Sequence, residues 1–442
     1  MALSFRKGVV LPGHKTARGK KIKLLPAPAK VSVPVEDRDR EEGELFVAVG
    51  DRVLLGQKIA LEKGAYPTPV HASLSGRIIG IRREEHRSLV EIENDYRNTL
   101  SPEVCPFSKK IVEAEPEELI GFIRDAGIVG LGGAAFPVWA KLENARGKVK
   151  RLIINCAESE PWLCADHRLL LDKTNEIIGG AKILLQASGA EKAVFALESN
   201  KEDAAEKLLA ALGDNPRFPV RVLKTKYPQG DERHLAAALF GKEIKEEERP
   251  VDLGLIFFNP ETAWSVYRAF VNGLPLVERT LTVGGSAAPE TENLSVPLGT
   301  SFEEALRFAG GLSAKAGVVL NGGPMMGKPQ NDLSSVVGKE TAAILALAEE
   351  VRHGKGVCIR CGRCRGVCPM RLVPLELLPL IRSGKLNKAD ARGLSACTEC
   401  GACAFVCPAD VPLMPLLHAG KAALAAEKEN ESQEIGKGGE NE

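Results

Sequence analysis

Eight cysteines near the C-terminal end of the chain are the residues whose spacing most clearly predicts chemistry. They form two runs with the spacing C-x2-C-x2-C-x3-C, each followed by proline. Thiolates with this spacing typically hold two [4Fe–4S] clusters, because three close cysteines wrap one cluster and the fourth is directed to its neighbour. The first run is Cys358, Cys361, Cys364 and Cys368, and the second is Cys397, Cys400, Cys403 and Cys407.

We therefore assign to each cluster three cysteines of one run and the last cysteine of the other. Zinc is the alternative, but zinc sites usually present two C-x2-C pairs with a longer separation. Two complete copies of the iron–sulfur spacing favour clusters, which pass single electrons. One predicted set is Cys358, Cys361, Cys364 and Cys407, and the other is Cys397, Cys400, Cys403 and Cys368.

Basic residues surround the first run, with no acidic residue between them. Positive charge at this position could favour the reduced cluster and dock an acidic electron carrier, or it could form a solvated basic surface. The sequence leaves both interpretations open. The residues are Arg352, Lys355, Arg360, Arg363, Arg365 and Arg371.

A glycine-rich segment, GIVGLGGAAFPVWAKL at 127–142, is the second candidate for chemistry. It has neither the G-x-G-x-x-G spacing of dinucleotide-binding loops nor the spacing of a Walker motif. Glycines nevertheless permit sharp turns and a close approach of the backbone to a ligand. A two-electron donor such as NADH needs a flavin to deliver electrons singly to clusters, so we asked whether this segment belongs to a flavin site.

Several segments together resemble a known family. They resemble the flavin- and NADH-binding subunit of respiratory complex I and, more closely, the C subunit of Rnf-type electron transport complexes. The resemblance covers nearly the whole chain. The segments are GLGGAAFPVWAK (130–141), NCAESEP (155–161), LKTKYPQG (223–230) with the following DE (231–232), NPET (259–262), NGLPLVERTLTV (272–283), NGGPMMG (321–327) and the two cysteine runs.

The resemblance implies that FMN is held near the glycine-rich segment and that NADH lies over the flavin ring. The backbone at Gly130, Gly132 and Gly133 would approach the flavin, and Lys141 would pair with its phosphate or ring. Asn155 and Glu158, after a buried strand, would hydrogen-bond the flavin, and Asn259 and Thr262 would lie near its phosphate. Gly230, Asp231 and Glu232 would line the cavity.

NADH would be held by two further implied contacts. Phe136 would stack on the nucleotide, and Glu160 would accept a hydrogen bond from a nicotinamide ribose or amide. Glu158 and Glu160 would then be the carboxylates that orient the hydride donor. Cys105, Cys156 and Cys164 are interpreted as small core residues or idle thiols, and His167 as structural.

Several positions in this region differ from the family pattern, and three of them leave alternatives open. Ala135 stands where relatives have glycine, Ala157 where they have aspartate and Phe258 where they have asparagine. One alternative is therefore a cluster relay or scaffold whose flavin site has decayed. Another is a soluble relative of the cobalamin or proline reductase type. The main hypothesis is a subunit of an Rnf-type complex that exchanges hydride with NADH through FMN and is coupled to ferredoxin.

The periodicity of the chain indicates which elements position these residues. Alternating apolar residues predict strands up to about residue 105, similar to the barrel-sandwich fold of lipoyl domains, and alternating strands and helices then predict an α/β layer. The expected fold is multidomain α/β. Its expected segments are a barrel-sandwich hybrid (1–110), an α/β FMN/NADH-binding domain (111–248), a β-grasp module (249–335), a helical two-cluster domain (336–426) and a disordered charged tail (427–442).

Composition excludes some classes of protein and bounds the location. The 59 basic and 58 acidic residues nearly cancel, and aromatic residues make up 5%, so nothing favours a nucleic-acid surface. We find no secretion signal and no apolar run of about 18 residues that could span a bilayer. We therefore expect a cytoplasmic location, peripheral on the membrane through partner subunits, with an acidic carrier such as ferredoxin reached indirectly.

Overall fold

The computed structural model describes residues 3–313, 316–349 and 356–438, with side chains up to 428. The chain divides into two compact units. The first comprises Met1–Leu3, Pro12–Thr225 and Arg249–Glu349. The second comprises Ser4–Leu11, Lys226–Glu248 and Glu350–Glu442. The basic residues Arg352 and Lys355, noted beside the first cysteine run, lie outside the described residues.

The N-terminal part of the first unit is a barrel-sandwich of two small sheets, as predicted. One sheet has the order β2-β8-β7-β4 and the other β3-β5-β6. Alternation places Val31, Val33 and Val35 of β2 in the core between the sheets. The strands of these two sheets are β2 (Lys30–Glu36), β3 (Glu44–Leu45), β4 (Arg52–Val53), β5 (Lys58–Glu62), β6 (Thr68–His71), β7 (Gly76–Arg83) and β8 (Arg87–Asn94), and the preceding strand β1 (Lys23–Leu24) belongs to another sheet.

An α/β layer follows, built on four parallel strands in the order β11-β10-β9-β12. Helices α4 and α7 pack tightly, because a Cβ on Gly180 would lie 1.7 Å from the carbonyl oxygen of Ala263. The elements are α1 (Pro116–Asp125), α2 (Val138–Ala145), β9 (Arg151–Cys156), α3 (Ala165–Asp172), α4 (Thr174–Ser188), β10 (Lys192–Glu198), α5 (Glu202–Leu212), β11 (Val220–Leu223), α6 (Glu232–Phe240), β12 (Leu255–Phe258) and α7 (Pro260–Asn272), with 3-10 turns at Ile111–Glu113, Ser199–Lys201 and Pro250–Leu253.

The expected boundary of this layer at residue 248 differs from the structure on both sides. Strand β12 pairs in parallel with β9, so the sheet is complete only after residue 258 and α7 belongs with it. Residues 226–248, including α6, instead belong to the second unit. Strand β12 follows residues 226–248 in the chain but pairs with β9, and local periodicity does not show which strands will pair.

A β-grasp sheet closes the first unit and confirms the predicted module. Its core order β14-β13-β17-β15-β16 has parallel pairing between β13 and β17 and antiparallel pairing elsewhere, with α8 following the second strand. Strand β1 extends the sheet at β14. The elements are β13 (Glu278–Gly284), β14 (Glu292–Pro297), α8 (Phe302–Phe308), β15 (Ala316–Asn321), β16 (Lys328–Gln330) and β17 (Ala343–Ala348). The module thus ends near 348 rather than at 335.

The second unit is helical around the cysteine runs. Its core includes Leu377, Leu394, Leu413 and Leu417. The helices are α9 (Arg363–Val367), α10 (Pro374–Arg382), α11 (Leu386–Asp390), α12 (Ala402–Phe405) and α13 (Leu413–Gly438). Within this unit the hydroxyl of Tyr227 donates to the carbonyl oxygen of Cys400 at 2.6 Å, which ties residues 226–248 to the second cysteine run.

The expected disordered tail differs from the structure over residues 427–438, which continue α13. Glu, Lys and Gln are good helix formers, so a helix that packs through Leu413 and Leu417 can propagate into a polar segment. Residues 439–442 lie outside the described residues. In the described part of the chain no helix has both the length and the apolarity to cross a membrane.

Candidate functional site

The glycine-rich segment forms a closed loop at the edge of the α/β sheet. The amide of Gly130 donates to the carbonyl oxygen of Phe136 at 2.8 Å, and the amide of Ala135 donates to that of Gly130 at 3.1 Å. An antiparallel bridge between Val129 and Pro137 closes the base of the loop. Helix α2 then starts at Val138 and carries Lys141, whose Nζ lies 5.6 Å from the centroid of the Phe258 ring.

Gly132 and Gly133 leave open space at the tip of this loop. Gly132 is not in a left-handed conformation, and a Cβ there would come no closer than 3.7 Å to the protein, at the Cβ of Asn259. Gly133 has a φ of +107°, so its backbone does favour glycine, and a Cβ there would meet nothing within 4 Å. No contact within the protein thus requires glycine at 132. The surface is accessible to a planar ligand, as FMN binding requires.

Ala135, one of the departures from the family pattern, has a left-handed backbone and packs against the core. Its φ is +49°, the left-handed conformation in which relatives place glycine. Its methyl group packs against the main hydrophobic core of the unit instead of facing the open tip of the loop.

The loop lies beside the point where the order of the parallel sheet reverses. The chain leaves β9 toward β10 and β11, whereas β12 lies on the other side of β9, and such switch points are where α/β sheets bind ligands. The hydroxyl of Thr262 accepts from the amide of Leu131 at 2.9 Å, and Asn259 caps α7 by accepting from the amide of Glu261 at 2.8 Å. These contacts bring Gly132, Asn259 and Thr262 together, while their implied roles at a flavin stay predictions.

In the segment after β9, the carboxylates of Glu158 and Glu160 accept hydrogen bonds from backbone amides. Glu158, at a φ of +42°, accepts from the amides of Asp166 at 2.8 Å and His167 at 3.4 Å and so caps α3. Glu160 accepts from the amides of Met325 at 3.0 Å and Met326 at 2.9 Å. Burial raises the pKa of Glu160 to about 7, although these amides favour its ionised form. The side chain of Asn155 accepts from the amide of Ala157 at 3.3 Å.

Asp166 connects the segment after β9 to the start of α7 and was not identified from the sequence. Its carboxylate accepts from the side-chain nitrogen of Asn259 at 2.6 Å. Burial raises the pKa of Asp166 well above its usual value, and the neighbouring carboxylates of Glu158 and Glu261 raise it further. An aspartate at the start of a short helix carries no distinctive pattern, so only the fold reveals this cluster.

Two cations that the sequence did not single out hold the segment after β9. Lys15 donates from Nζ to the carbonyl oxygens of Glu158 and Glu160, each at 2.8 Å, and to that of Leu163. Lys201 is buried and donates to the carbonyl oxygen of Ala157 at 2.6 Å, while burial lowers its pKa. Their partners are backbone atoms far away in sequence, which motifs do not reveal.

A buried arginine, Arg279, holds the glycine loop through a hydrogen bond to its backbone. Arg279 of β13 donates to the carbonyl oxygen of Leu131 at 2.8 Å and to the carboxylate of Glu261 at 3.0 Å. It also donates to the carbonyl oxygen of Lys339. Arg279 and Glu261 are both almost completely buried, so the β-grasp sheet, α7 and the glycine loop meet at one ion pair.

The other predicted residues of this region have structural roles or lie elsewhere. Cys156 and Cys164 are buried, and burial raises the pKa of the Cys164 thiol to about 12. Cys105 is exposed, and His167 contacts Asp203 at 2.7 Å. Gly230, Asp231 and Glu232 lie in the second unit, where Asp231 caps α6 by accepting from the amides of Arg233 and His234. Their predicted flavin contacts stay predictions.

The second unit contains two cavities lined by cysteines. One is lined by Cys358, Cys361, Cys364 and Cys407, and the other by Cys368, Cys397, Cys400 and Cys403. Each cavity therefore receives three cysteines of one run and the last cysteine of the other.

The backbone repeats itself around these cavities. Each run has left-handed residues at three equivalent positions, where the chain must turn to direct its cysteines inward. Two of these positions are occupied by residues other than glycine, which accept this conformation at a cost. The equivalent pairs are Arg360 and Glu399, Gly362 and Gly401, and Arg371 and Asp410.

The basic residues of the first run that the structure describes are exposed. They are Arg360, Arg363, Arg365 and Arg371. Arg371 forms an ion pair with Glu243 of the same unit. These contacts do not decide between a docking surface and a solvated basic surface, and both stay predictions.

Three protein families match successive parts of the chain. The RnfC barrel sandwich hybrid domain matches residues 3–95, the Nuo51 FMN-binding domain matches 123–268 and the 4Fe-4S dicluster domain matches 357–411. The FMN-binding match includes β9, β12 and the glycine loop. The dicluster match includes all eight cysteines of the two cavities.

Curated relatives are similar over most of the chain. The C subunit of the Na(+)-translocating ferredoxin:NAD(+) oxidoreductase complex of Acetobacterium woodii is 36% identical over 78% of this chain and 80% of its own. The corresponding subunit of the proton-translocating complex of Clostridium ljungdahlii is 36% identical over 85% of this chain and 84% of its own. That of the ion-translocating oxidoreductase complex of Rhodobacter capsulatus is 38% identical over 98% of this chain and 85% of its own.

Proposed function

The chain belongs to the family of C subunits of Rnf-type ion-translocating oxidoreductase complexes, and we propose that it is the subunit that exchanges electrons with NADH. It would hold FMN and two [4Fe–4S] clusters and pass electrons between NAD(H) and a partner subunit. The complex as a whole would couple this transfer to ferredoxin. The proposal depends above all on the open glycine loop at the switch point of the sheet.

The residues of the loop fit a flavin in shape and charge. Gly132 and Gly133 leave space for a flat ring or phosphate beside the backbone, and Lys141 supplies a cation on the adjoining helix. When bound, FMN would accept a hydride from NADH and release electrons one at a time. The chain itself would orient the two partners and exclude water, with Asn259 and Thr262 already ordered by their contacts to Asp166 and Leu131.

The two cavities of the second unit fit the proposed relay. Each presents four cysteines, the number of thiolates that a [4Fe–4S] cluster requires. We propose Cys358, Cys361, Cys364 and Cys407 as the ligands of one cluster. The ligands of the other would be Cys368, Cys397, Cys400 and Cys403.

The location of the protein is part of the proposal. We propose that it is peripheral on the cytoplasmic face of the cell membrane and attached there through the other subunits of the complex. The names of the relatives, which are subunits of ion-translocating complexes, support this placement.

FMN content and reduction by NADH test the proposal. We expect the chain, purified without oxygen, to contain FMN and to show bleaching of flavin and cluster absorbance when NADH is added. Gly132→Ala should fold normally, because its Cβ meets no protein atom closer than 3.7 Å, but it should lose FMN. Gly121→Ala is the matched control, since that glycine lies in α1 with no atom near its Cβ, and it should keep FMN.

A preparation without FMN whose clusters NADH does not reduce would contradict the proposal. Such a result would instead support the cluster relay with a decayed flavin site. Normal FMN content in Gly132→Ala would show that the loop is not the flavin site, even if the activity were present.

A further inference from the structure

We infer that Tyr66, at the tip of the hairpin between β5 and β6, forms part of the dinucleotide-binding surface and contacts an aromatic ring of NADH. The inference depends on the proposed function. It assigns a ligand-binding role to the barrel-sandwich part of the chain. Lipoyl domains, whose fold this part resembles, present a modifiable lysine on a hairpin tip. No residue of this part was among the predicted site residues.

Tyr66 and Phe136 form an open aromatic corner at the rim of the glycine loop. Their ring centroids are 5.2 Å apart and their planes meet at 67°. A planar ring that stacks on one side chain of such a corner meets the other edge to face, and both arrangements are favourable. The corner therefore has the shape to hold a planar heterocycle such as adenine or nicotinamide.

The corner is exposed although its residues are large and aromatic. Tyr66 is 37% exposed and Phe136 is 39% exposed. Phe46, Tyr96 and Phe308 of the same unit are also exposed, so the feature that distinguishes Tyr66 and Phe136 is their mutual ring contact beside the glycine loop. Exposed aromatic pairs beside a cleft are common features of ligand sites, because they supply apolar contact area with little conformational freedom to lose.

The hairpin tip is held firmly by its neighbours. The hydroxyl of Thr68 donates to the carbonyl oxygen of Tyr66 at 3.0 Å, and the amide of Ala65 donates to the carboxylate of Asp39 at 2.8 Å. Trp139 of α2 supports the Tyr66 ring from a second direction, with centroids 6.1 Å apart. Tyr66 is thus positioned before any ligand arrives, so little ordering would be required on binding.

Partly buried hydrogen bonds of Arg38 connect the hairpin to the glycine loop. Arg38 donates to the carboxylate of Glu62 in β5 at 2.8 Å and to the carbonyl oxygen of Ala135 at 3.4 Å. Lys339 donates to the carbonyl oxygen of Pro69 in β6 at 3.0 Å. Arg38 therefore joins the barrel-sandwich to the glycine loop next to Phe136.

Calorimetry of the intact, oxidised protein with its cofactors, prepared without oxygen, tests this inference. NAD+ is the probe, since it binds without turnover, and oxidised nicotinamide mononucleotide reports on the nicotinamide half alone. Tyr66→Ala should weaken NAD+ binding by about 3- to 10-fold, the usual range for one aromatic contact, whereas Tyr66→Phe should stay within about 2-fold of wild type. Tyr96→Ala is the matched control, because Tyr96 is 64% exposed in the same part of the chain.

The mononucleotide identifies which ring is held. Unchanged mononucleotide affinity in Tyr66→Ala would assign the corner to adenine, and a parallel loss would assign it to nicotinamide. Unaltered NAD+ affinity in Tyr66→Ala, with normal binding by the wild type, would overturn this inference alone. Loss of FMN from Tyr66→Ala would also overturn it, because Tyr66 would then support the flavin. If the wild type binds no NAD+, both the proposed function and this inference fail.

Discussion

The guanidinium of Arg279 donates to the carbonyl oxygen of Leu131 at 2.8 Å while it pairs with the carboxylate of Glu261 at 3.0 Å. A residue of the β-grasp sheet thus holds the glycine loop in position. Since both charged groups are buried, removing either one leaves an uncompensated charge in the interior.

Arg279→Met should therefore destabilise the first unit by about 3–5 kcal/mol and lower its FMN content. The double variant Arg279→Met/Glu261→Leu should be more stable than Arg279→Met, because it removes the unpaired carboxylate as well. Denaturant unfolding of the three proteins measures this coupling. Additive destabilisation in the double variant would show that the pair does not act as a unit.

Lys15→Met should loosen the segment after β9, because three backbone carbonyl groups lose their charged donor. Hydrogen bonds from charged groups contribute about 1.5–3 kcal/mol each at most, and solvent can replace part of this, so we expect a loss of about 2–4 kcal/mol. Lys21→Met is the control, since Lys21 is exposed. Equal thermal unfolding of the two variants would contradict a role for Lys15 in holding this segment.

Glu160 should make stability depend on pH. Its pKa is raised to about 7 in the folded chain, above the value of an unfolded glutamate, so its contribution is fully present below about pH 4.5 and is lost as pH rises through 7. The wild type should therefore lose stability relative to Glu160→Gln over this window, by on the order of 3 kcal/mol. Denaturant unfolding of both proteins at about pH 5, 6, 7 and 8 measures the difference in their free energies of unfolding. A difference that does not change with pH would show that Glu160 is ionised throughout.

Ala135→Gly should relieve left-handed strain, because Ala135 has a φ of +49°. The gain is offset in part by lost core contact and greater freedom of the unfolded chain, so we expect a net change within about 1 kcal/mol and unchanged FMN content. Ala134→Gly is the matched control, since Ala134 is not among the left-handed residues, and it should destabilise. A large rise in FMN affinity in Ala135→Gly would mean that its methyl group obstructs the flavin after all.

Single cysteine variants should distinguish the two clusters. Cys407→Ser should impair the cluster held by Cys358, Cys361 and Cys364, although it lies in the other run, and Cys368→Ser should impair the second cluster. Each variant should lose up to about half of the bound iron, with a different electron paramagnetic resonance signal diminished. Cys105→Ser should keep both signals, because Cys105 is an exposed thiol outside the cavities. Loss of the signal from the variant's own run would contradict the crossed assignment.

Local periodicity and spacing were sufficient for much of the fold. Strand β9 at Arg151–Cys156 and helix α4 at Thr174–Ser188 belong to the alternation of strands and helices that the periodicity predicts, because burial of apolar residues determines both. Boundaries were less predictable. Strand β12 joins β9 from beyond residues 226–248, and no local pattern records which strands will pair.

Motifs and periodicity were enough to predict the family and most of the elements. The spacing of the cysteines predicted the two crossed sets, because it limits how many ligands a short segment can direct to one point. Only the tertiary structure identified Arg279, Lys15 and Tyr66. Arg279 and Lys15 act on carbonyl oxygens that are distant in the chain, and Tyr66 acts through a ring contact with Phe136. Backbone carbonyls are present at every residue, so a sequence cannot show which of them a cation will reach. That depends on the three-dimensional packing of the sandwich, the α/β layer and the β-grasp sheet.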